Sequence, residues 1–377
     1  MSRRIWTVAS RMSAMLVTGV LVATTAVPAA ARGPRDEQWY LDQIGIERAH
    51  AVTTGKGILV GMFLSMVNTE HPDLGGRVRP RQTVTVDNTV KPLTGRRAFV
   101  GGGETALAGL VVAGGGSGIL GVAPGAEIQP IDSPTFSEED ESLALRWLVD
   151  QGARVINMTG VNTPNLRRKE TWDGVRYALA KDVVVIVSES VVHGSPAAIS
   201  AGILVVNGVD RDGKREEVEE DEASNSRVNL SAPGLSEFIA LTDDPAKGAY
   251  WRNPTGSNAN AAAIVTGVAA LIRSKYPDLN APSVINRLLS TAKDVGPPGP
   301  DPTYGYGIVD AAAAVTADIP PVTKNPLGDP PRVKDDSRLW LAGMTLVPLA
   351  CIAGVALVVT LLVVVLRSQR RRRLRSS

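Results

Sequence analysis

Short, fully apolar, β-branched runs recur along this chain and alternate with helix-patterned stretches. Gly57 to Phe63 (GILVGMF), Glu127 to Ile131, Arg154 to Met158, Val183 to Val187 and Ile203 to Val209 each read as a buried strand. Between them lie helical patterns at Thr105 to Ala113, Glu141 to Gln151 and Thr171 to Ala180. Asn260 to Lys275 and Pro282 to Ala292 follow as two more. Strands without polar alternation must be buried on both faces. Strands separated by helices are ordinarily parallel. The pattern therefore predicts an α/β domain with a mostly parallel central sheet between two helical layers, over about Asp36 to Ala317.

The two ends carry different signals. Arg3, Arg4 and Arg11 precede an apolar stretch from Met12 to Val27, and Ala29-Ala30-Ala31 fits a small-x-small cleavage site. Residues 1–31 are thus expected to be a signal peptide, with a mature start near Arg32. Leu339 to Leu366 contains no charged residue over 28 positions, against the ~20 that a bilayer requires. Arg367, Arg370, Arg371, Arg372, Arg373 and Arg375 follow directly. A transmembrane helix over 339–366 is expected, contacting membrane lipid. By the positive-inside rule the basic tail, 367–377, stays in the cytoplasm and the N-terminal domain sits outside the cell membrane. Residues 318–338, Pro-rich and then charged, are expected to be an extended linker.

Composition excludes several classes. The net charge of +2 gives no broad basic field for nucleic acid. The one cysteine, Cys351, lies inside the apolar span and rules out an intramolecular disulfide. The histidines are His50, His71 and His193, and no two have metal-ligand spacing. The acidic run Arg215 to Glu222 (REEVEEDE) is expected to be a solvated loop. No cofactor and no metal is implied.

Several segments in order resemble the subtilase family and, within it, the mycosins, membrane-anchored subtilases associated with type VII secretion. They are QWYLDQIGIERAH (Gln38 to His50), GKGILVGMFLSMVNTEHPDL (Gly55 to Leu74) and GILGVAPGAEIQPI (Gly118 to Ile131). ESLALRWLVDQGARVINMT (Glu141 to Thr159), NLSAPG (Asn229 to Gly234, matched to a family turn), TGVAALIRSKYPDL (Thr266 to Leu279) and YGYGIVDAAAAV (Tyr304 to Val315) complete the match. The resemblance implies a subtilisin-like three-layer fold and protein partners in a type VII secretion membrane complex.

It also implies where a catalytic Asp, His and Ser would stand. Leu64 takes the Asp position and Gly103 the His position, the register being fixed by Thr105, Ala108 and Gly109. The Ser position falls on Ala259 counting back from Gly267, or on Asn258 counting from Gly256. Val191 falls nearest the oxyanion Asn, and Ala263 replaces a family proline. No catalytic residue is therefore expected to function, and the chain reads as a pseudoprotease used for binding or scaffolding. Glu104 is expected to favour the following helix N-terminus; Glu70 and Asp73 are offset into a loop, and Ser257 is aimed differently. The alternatives left by the residues are an endopeptidase with a rebuilt site, drawing on His193 or Glu104, and a decoy that grips peptides in a degenerate cleft.

Overall fold

Every residue of Leu59–Phe63 is buried, which requires sheet neighbours on both edges and helices on both faces. The computed structural model supplies them. It describes residues 33–94, 103–132, 138–160, 166, 168–192, 200–215, 228–244, 246 and 248–331. The signal-like segment, the apolar span, the basic tail, His193 and residues 216–222 of the acidic run lie outside these. Among the described residues no helix is long and apolar enough to cross a membrane.

The elements in chain order are α1 (Trp39–Gln43), α2 (Ile46–His50), β1 (Leu59–Phe63), β2 (Gln82–Val84), β3 (Val90–Pro92), α3 (Glu104–Val112), β4 (Glu127–Asp132), α4 (Glu138–Asp150) and β5 (Val155–Asn157). They continue with α5 (Lys169–Ala180), β6 (Val184–Ser188), α6 (Glu189–Val192), β7 (Leu204–Val209), β8 (Leu230–Pro233), β9 (Phe238–Leu241) and β10 (Tyr250–Asn253). The last three are α7 (Asn258–Lys275), α8 (Ala281–Ser290) and α9 (Ala311–Thr316). Among the described residues eight strands form one sheet in the order β3-β2-β4-β1-β5-β6-β7-β8. Only the β2–β3 pair is antiparallel. Strands β9 and β10 make a separate antiparallel hairpin.

Alternate side chains of the same strands feed two cores. Val60, Met62, Val184, Ile186, Leu204 and Val206 pack with α3 and α7 on one face. Phe63, Ile156, Val185, Val187 and Val205 pack with Leu145 and Leu148 of α4 and Trp172 and Val175 of α5 on the other. The fold is therefore the subtilisin-like α/β arrangement with a mostly parallel central sheet. Strand β1 lies between β4 and β5. There the winding changes direction, the place where open α/β sheets form a crevice beyond the strand carboxyl ends.

One sequence expectation changes. NLSAPG, matched to a turn, contains the edge strand β8, which pairs with β7 from Leu230 to Pro233. The lead-in Gln38 to His50, to which the sequence assigned no element, forms α1 and α2, with buried Tyr40 stacked on Phe238 at 4.1 Å between ring centroids.

Helix α7 is buried along most of its length, so its glycine marks a close approach. A Cβ at Gly267 would lie 2.6 Å from Val122 Cβ. Gly267→Val is expected to lower unfolding free energy by about 1–3 kcal/mol through overpacking, read as a lower urea midpoint at unchanged m-value. An unchanged midpoint would show that the helix can shift to make room.

Candidate functional site

The amino end of α3 is bonded to the loop after β1, and the amino end of α7 lies against the carboxyl end of β7, at the same end of the sheet, its crest. Leu64 follows β1, is fully buried and belongs to the core that contains α3 and α7. Its N–H donates to Ile131 O at 3.0 Å, which continues the pairing with β4 by one step. The leucine side chain packs into the core and offers nothing polar to the crevice.

Gly103 precedes α3 with φ +65°, and a Cβ built on it meets no described atom within 4 Å. The helix start is served by Asp243, whose Oδ1 accepts from Thr105 N at 3.3 Å and whose Oδ2 accepts from Gly103 N at 3.3 Å. Glu104 lies in the first turn of α3, where a carboxylate is expected to favour the helix N-terminus. Its buried carboxylate turns to the loop after β1, accepting from Ser65 Oγ at 3.2 Å and from Met66 N. Arg81 holds the same loop from the other side, donating to Ser65 O at 2.9 Å. Asn68 completes the lacing, its N–H donating to Thr105 Oγ1 at 3.0 Å and its side-chain amide to Asp243 O at 3.1 Å. The segments bearing Leu64 and Gly103 are therefore joined, by Glu104.

The start of α7 is also committed to structure. Ser257 is its cap residue, with Oγ accepting from Asn260 N at 3.3 Å. Asn258 opens the helix. Its Oδ1 accepts from Gly208 N at 2.7 Å, and its Nδ2 reaches Ser190 Oγ at 3.5 Å. Ala259 packs against the apolar core. Val191 lies in α6 and packs against the second core, so it presents no donor. Beside it the Glu189 carboxylate forms a buried ion pair with Arg215. Thr159 Oγ1 accepts from Ser188 N at 2.8 Å, Thr159 N donates to Asn157 Oδ1 at 2.7 Å, and Asn157 Nδ2 donates to Thr266 Oγ1 at 2.9 Å. This chain of bonds ties β5 and β6 to α7. A Cβ at Gly160, just beyond, would collide with the Phe63 carbonyl oxygen.

The other candidates lie elsewhere. Glu70 is exposed, and its N–H donates to Asn68 Oδ1. Asp73 is buried and accepts from Ser117 N at 2.8 Å and from Ser117 Oγ. His50 Nε2 donates to Val122 O at 2.8 Å. His71 Nδ1 accepts from Asp73 N at 3.2 Å, which leaves Nε2 as the donor to Ala249 O at 3.3 Å. Among the described residues no group of three or more His, Cys, Asp or Glu side chains is placed to hold a metal ion. The roles of Asp243 and Ser190 had no signal in the sequence, since each acts on a partner far away in the chain.

The subtilase family profile matches residues 55–307, two thirds of the chain, and the chain belongs to that family. Within it the chain is mycosin-like: mycosin-5 of Mycobacterium tuberculosis is 34% identical over 172 residues, covering 40% of this chain and 28% of that protein. Fervidolysin of Fervidobacterium pennivorans is 28% identical over 314 residues, covering 76% of this chain and 44% of fervidolysin. The chain thus matches less than half the length of these relatives. Among solved structures, MycP1 of Mycobacterium smegmatis superposes with a TM-score of 0.62 at 21% identity, covering 81% of this chain and 90% of that one. The MycP3 protease from the type VII (ESX-3) secretion system does so with a TM-score of 0.59 at 24% identity, covering 77% and 90%.

Both described histidines have pKa values below the ordinary one, chiefly because burial disfavours the cation. The unfolded chain takes up protons near pH 6.5, while the folded chain resists until lower pH. Stability is therefore whole above about pH 6.5 and is lost as pH falls from there through the folded values. The urea midpoint is expected to drop between pH 7.5 and pH 5. Replacing His71 with Gln, which retains a donor and an acceptor, should shrink that drop; an unaltered pH profile in His71→Gln would contradict the assignment.

Proposed function

We propose that this protein is a proteolytically inactive subtilase that serves as a binding or scaffold subunit on the outer face of the membrane. Its segment 339–366 is the anchor. Its partners are protein components of a type VII secretion membrane complex, the kind of system named for the MycP3 structure. A serine protease needs a nucleophile, a base within hydrogen-bond reach and a group that orients the base. The observation that carries the reading is what stands where β1, α3 and α7 meet. Leu64 is buried in the core, Gly103 has no side chain, and Asn258 is hydrogen-bonded to Gly208 N. We take Asn258 rather than Ala259 as the Ser equivalent, because Asn258 faces Ser190 while Ala259 faces the core.

Magnitudes favour this reading. Removing the triad of a subtilisin costs about 2 × 10⁶ in kcat, and what remains comes from the oxyanion hole and binding. Removing one oxyanion donor costs a further ~10²–10³. With Val191 packed against the core in place of a donor, both contributions are gone together.

The test is to incubate the purified full-length protein with a fluorophosphonate probe and, separately, with an unstructured protein substrate. No covalent labelling and no cleavage above the buffer control are expected. Labelling that disappears in Ser257→Ala, or cleavage abolished by the probe, would establish a rebuilt endopeptidase instead.

A further inference from the structure

Residues 318–331 have the composition of a linker, but they lie against the domain. Ala317 O accepts from Arg287 Nη1 at 2.6 Å. Val322 is clamped at the start of α8: its N–H donates to Ser283 Oγ at 2.9 Å and its carbonyl accepts from Asn280 Nδ2 at 3.0 Å. Asn325 Nδ2 donates to Gly202 O at 2.8 Å, and Gly202 N donates to Leu327 O at 3.1 Å. Leu327 packs against the main core. Pro331 O accepts from Arg176 Nη1 at 2.7 Å. The prolines at 320, 321, 326, 330 and 331 restrict the free chain and so lower the entropy lost on docking. Arg287 is itself buried, and Ala317 supplies its carbonyl partner.

The docking sites share one end of the molecule. Gly202 precedes β7, Asn280 follows α7, and Arg176 lies in the second half of α5. These are the amino ends of the strands. Helix α7 runs 18 residues from the candidate site to this base, a distance of about 26 Å.

We infer that residues 318–331 are a strap that turns the base of the domain toward the bilayer and presents the opposite end, where the strands terminate and Asn258 opens α7, outward, to a protein partner reached from the aqueous side. The inference rests on the reading of 339–366 as the anchor. A free chain from Ala317 to Leu339 spans up to ~80 Å and lets the domain take any orientation; from Pro331 the span is at most ~30 Å. With so short a tether leaving near the base, pressing the site against lipid requires the tether to run nearly straight up the domain's flank. The base then sits next to the headgroups by default.

The test uses the full chain in a Cys351→Ser background, reconstituted in phosphatidylcholine vesicles that contain a headgroup-quencher lipid. One fluorophore is placed at the base through Lys275→Cys, another near the site through Thr255→Cys; both positions are exposed. Quenching is expected to be severalfold stronger at position 275. Releasing the strap with Asn280→Ala, Ser283→Ala and Asn325→Ala together should bring the two probes toward parity and lower the melting temperature. Equal quenching in the strapped protein that still floats with vesicles would overturn the orientation. Loss of flotation would instead overturn the anchor reading, and the orientation with it. A chain cut after Ala317 that melts at the same temperature as one cut after Pro331 would show that the strap does not belong to the domain.

Discussion

Helices cover both faces of the central sheet, and all its strands but β3 run the same way. A sheet closed on both faces leaves open ground only at its strand ends, and the side chains that meet there come from separate elements. Strand β1 is fixed by paired registers to β4 and β5, so the position of Leu64 follows from the pairing. What sits opposite is settled by Glu104, which reaches from the first turn of α3 to the loop after β1. That bridge holds the amino end of α3 to the end of the central strand, and the geometry of the crest depends on it.

The polar groups of the crest are engaged in holding backbone. Ser257 caps α7, Thr159 receives the Ser188 N–H, Asp243 caps α3, and Asn258 secures the end of β7. Each of these oxygens satisfies a backbone N–H that would otherwise cost about 1–3 kcal/mol if left buried and unmatched. These bonds fix the backbone at the ends of β6 and β7 and at the starts of α3 and α7.

The chain's own pattern revealed the central strands because they are continuous apolar runs, and it revealed α4 and α5 because their apolar positions recur at helical spacing. Each fell within a few residues of its expected bounds. The pattern hid β2 and β3, three residues each at an edge, and β8, whose closing Pro233 reads as turn chemistry until its neighbour β7 is in place. The family motifs pointed to Leu64, Gly103 and the start of α7, which lie after β1, before α3 and at the first turn of α7. They left the Ser position open between Asn258 and Ala259, adjacent residues at the start of α7. Glu104 was legible as a residue but not by its role, since its partners lie 38 and 39 positions away. Asp243 was missed altogether: it acts across 140 positions on Gly103, and no local pattern records a hydrogen bond between distant segments. Residues 318–331 have a linker's composition, and their hydrogen bonds to Asn280, Ser283 and Gly202 again join distant parts of the chain.

The most direct measurement is a double-mutant cycle on Glu104→Ala and Ser65→Ala, followed by urea unfolding at pH 7.5. Glu104→Ala alone is expected to cost about 1–3 kcal/mol, because Met66 N–H and Ser65 O–H lose their acceptor. The pair should couple by at least ~0.5 kcal/mol, since the two side chains share a bond. A Glu104→Ala protein of unchanged stability, with additive effects in the cycle, would contradict the account: the carboxylate would then not hold α3 to β1, and its place in the crevice would need a chemical explanation.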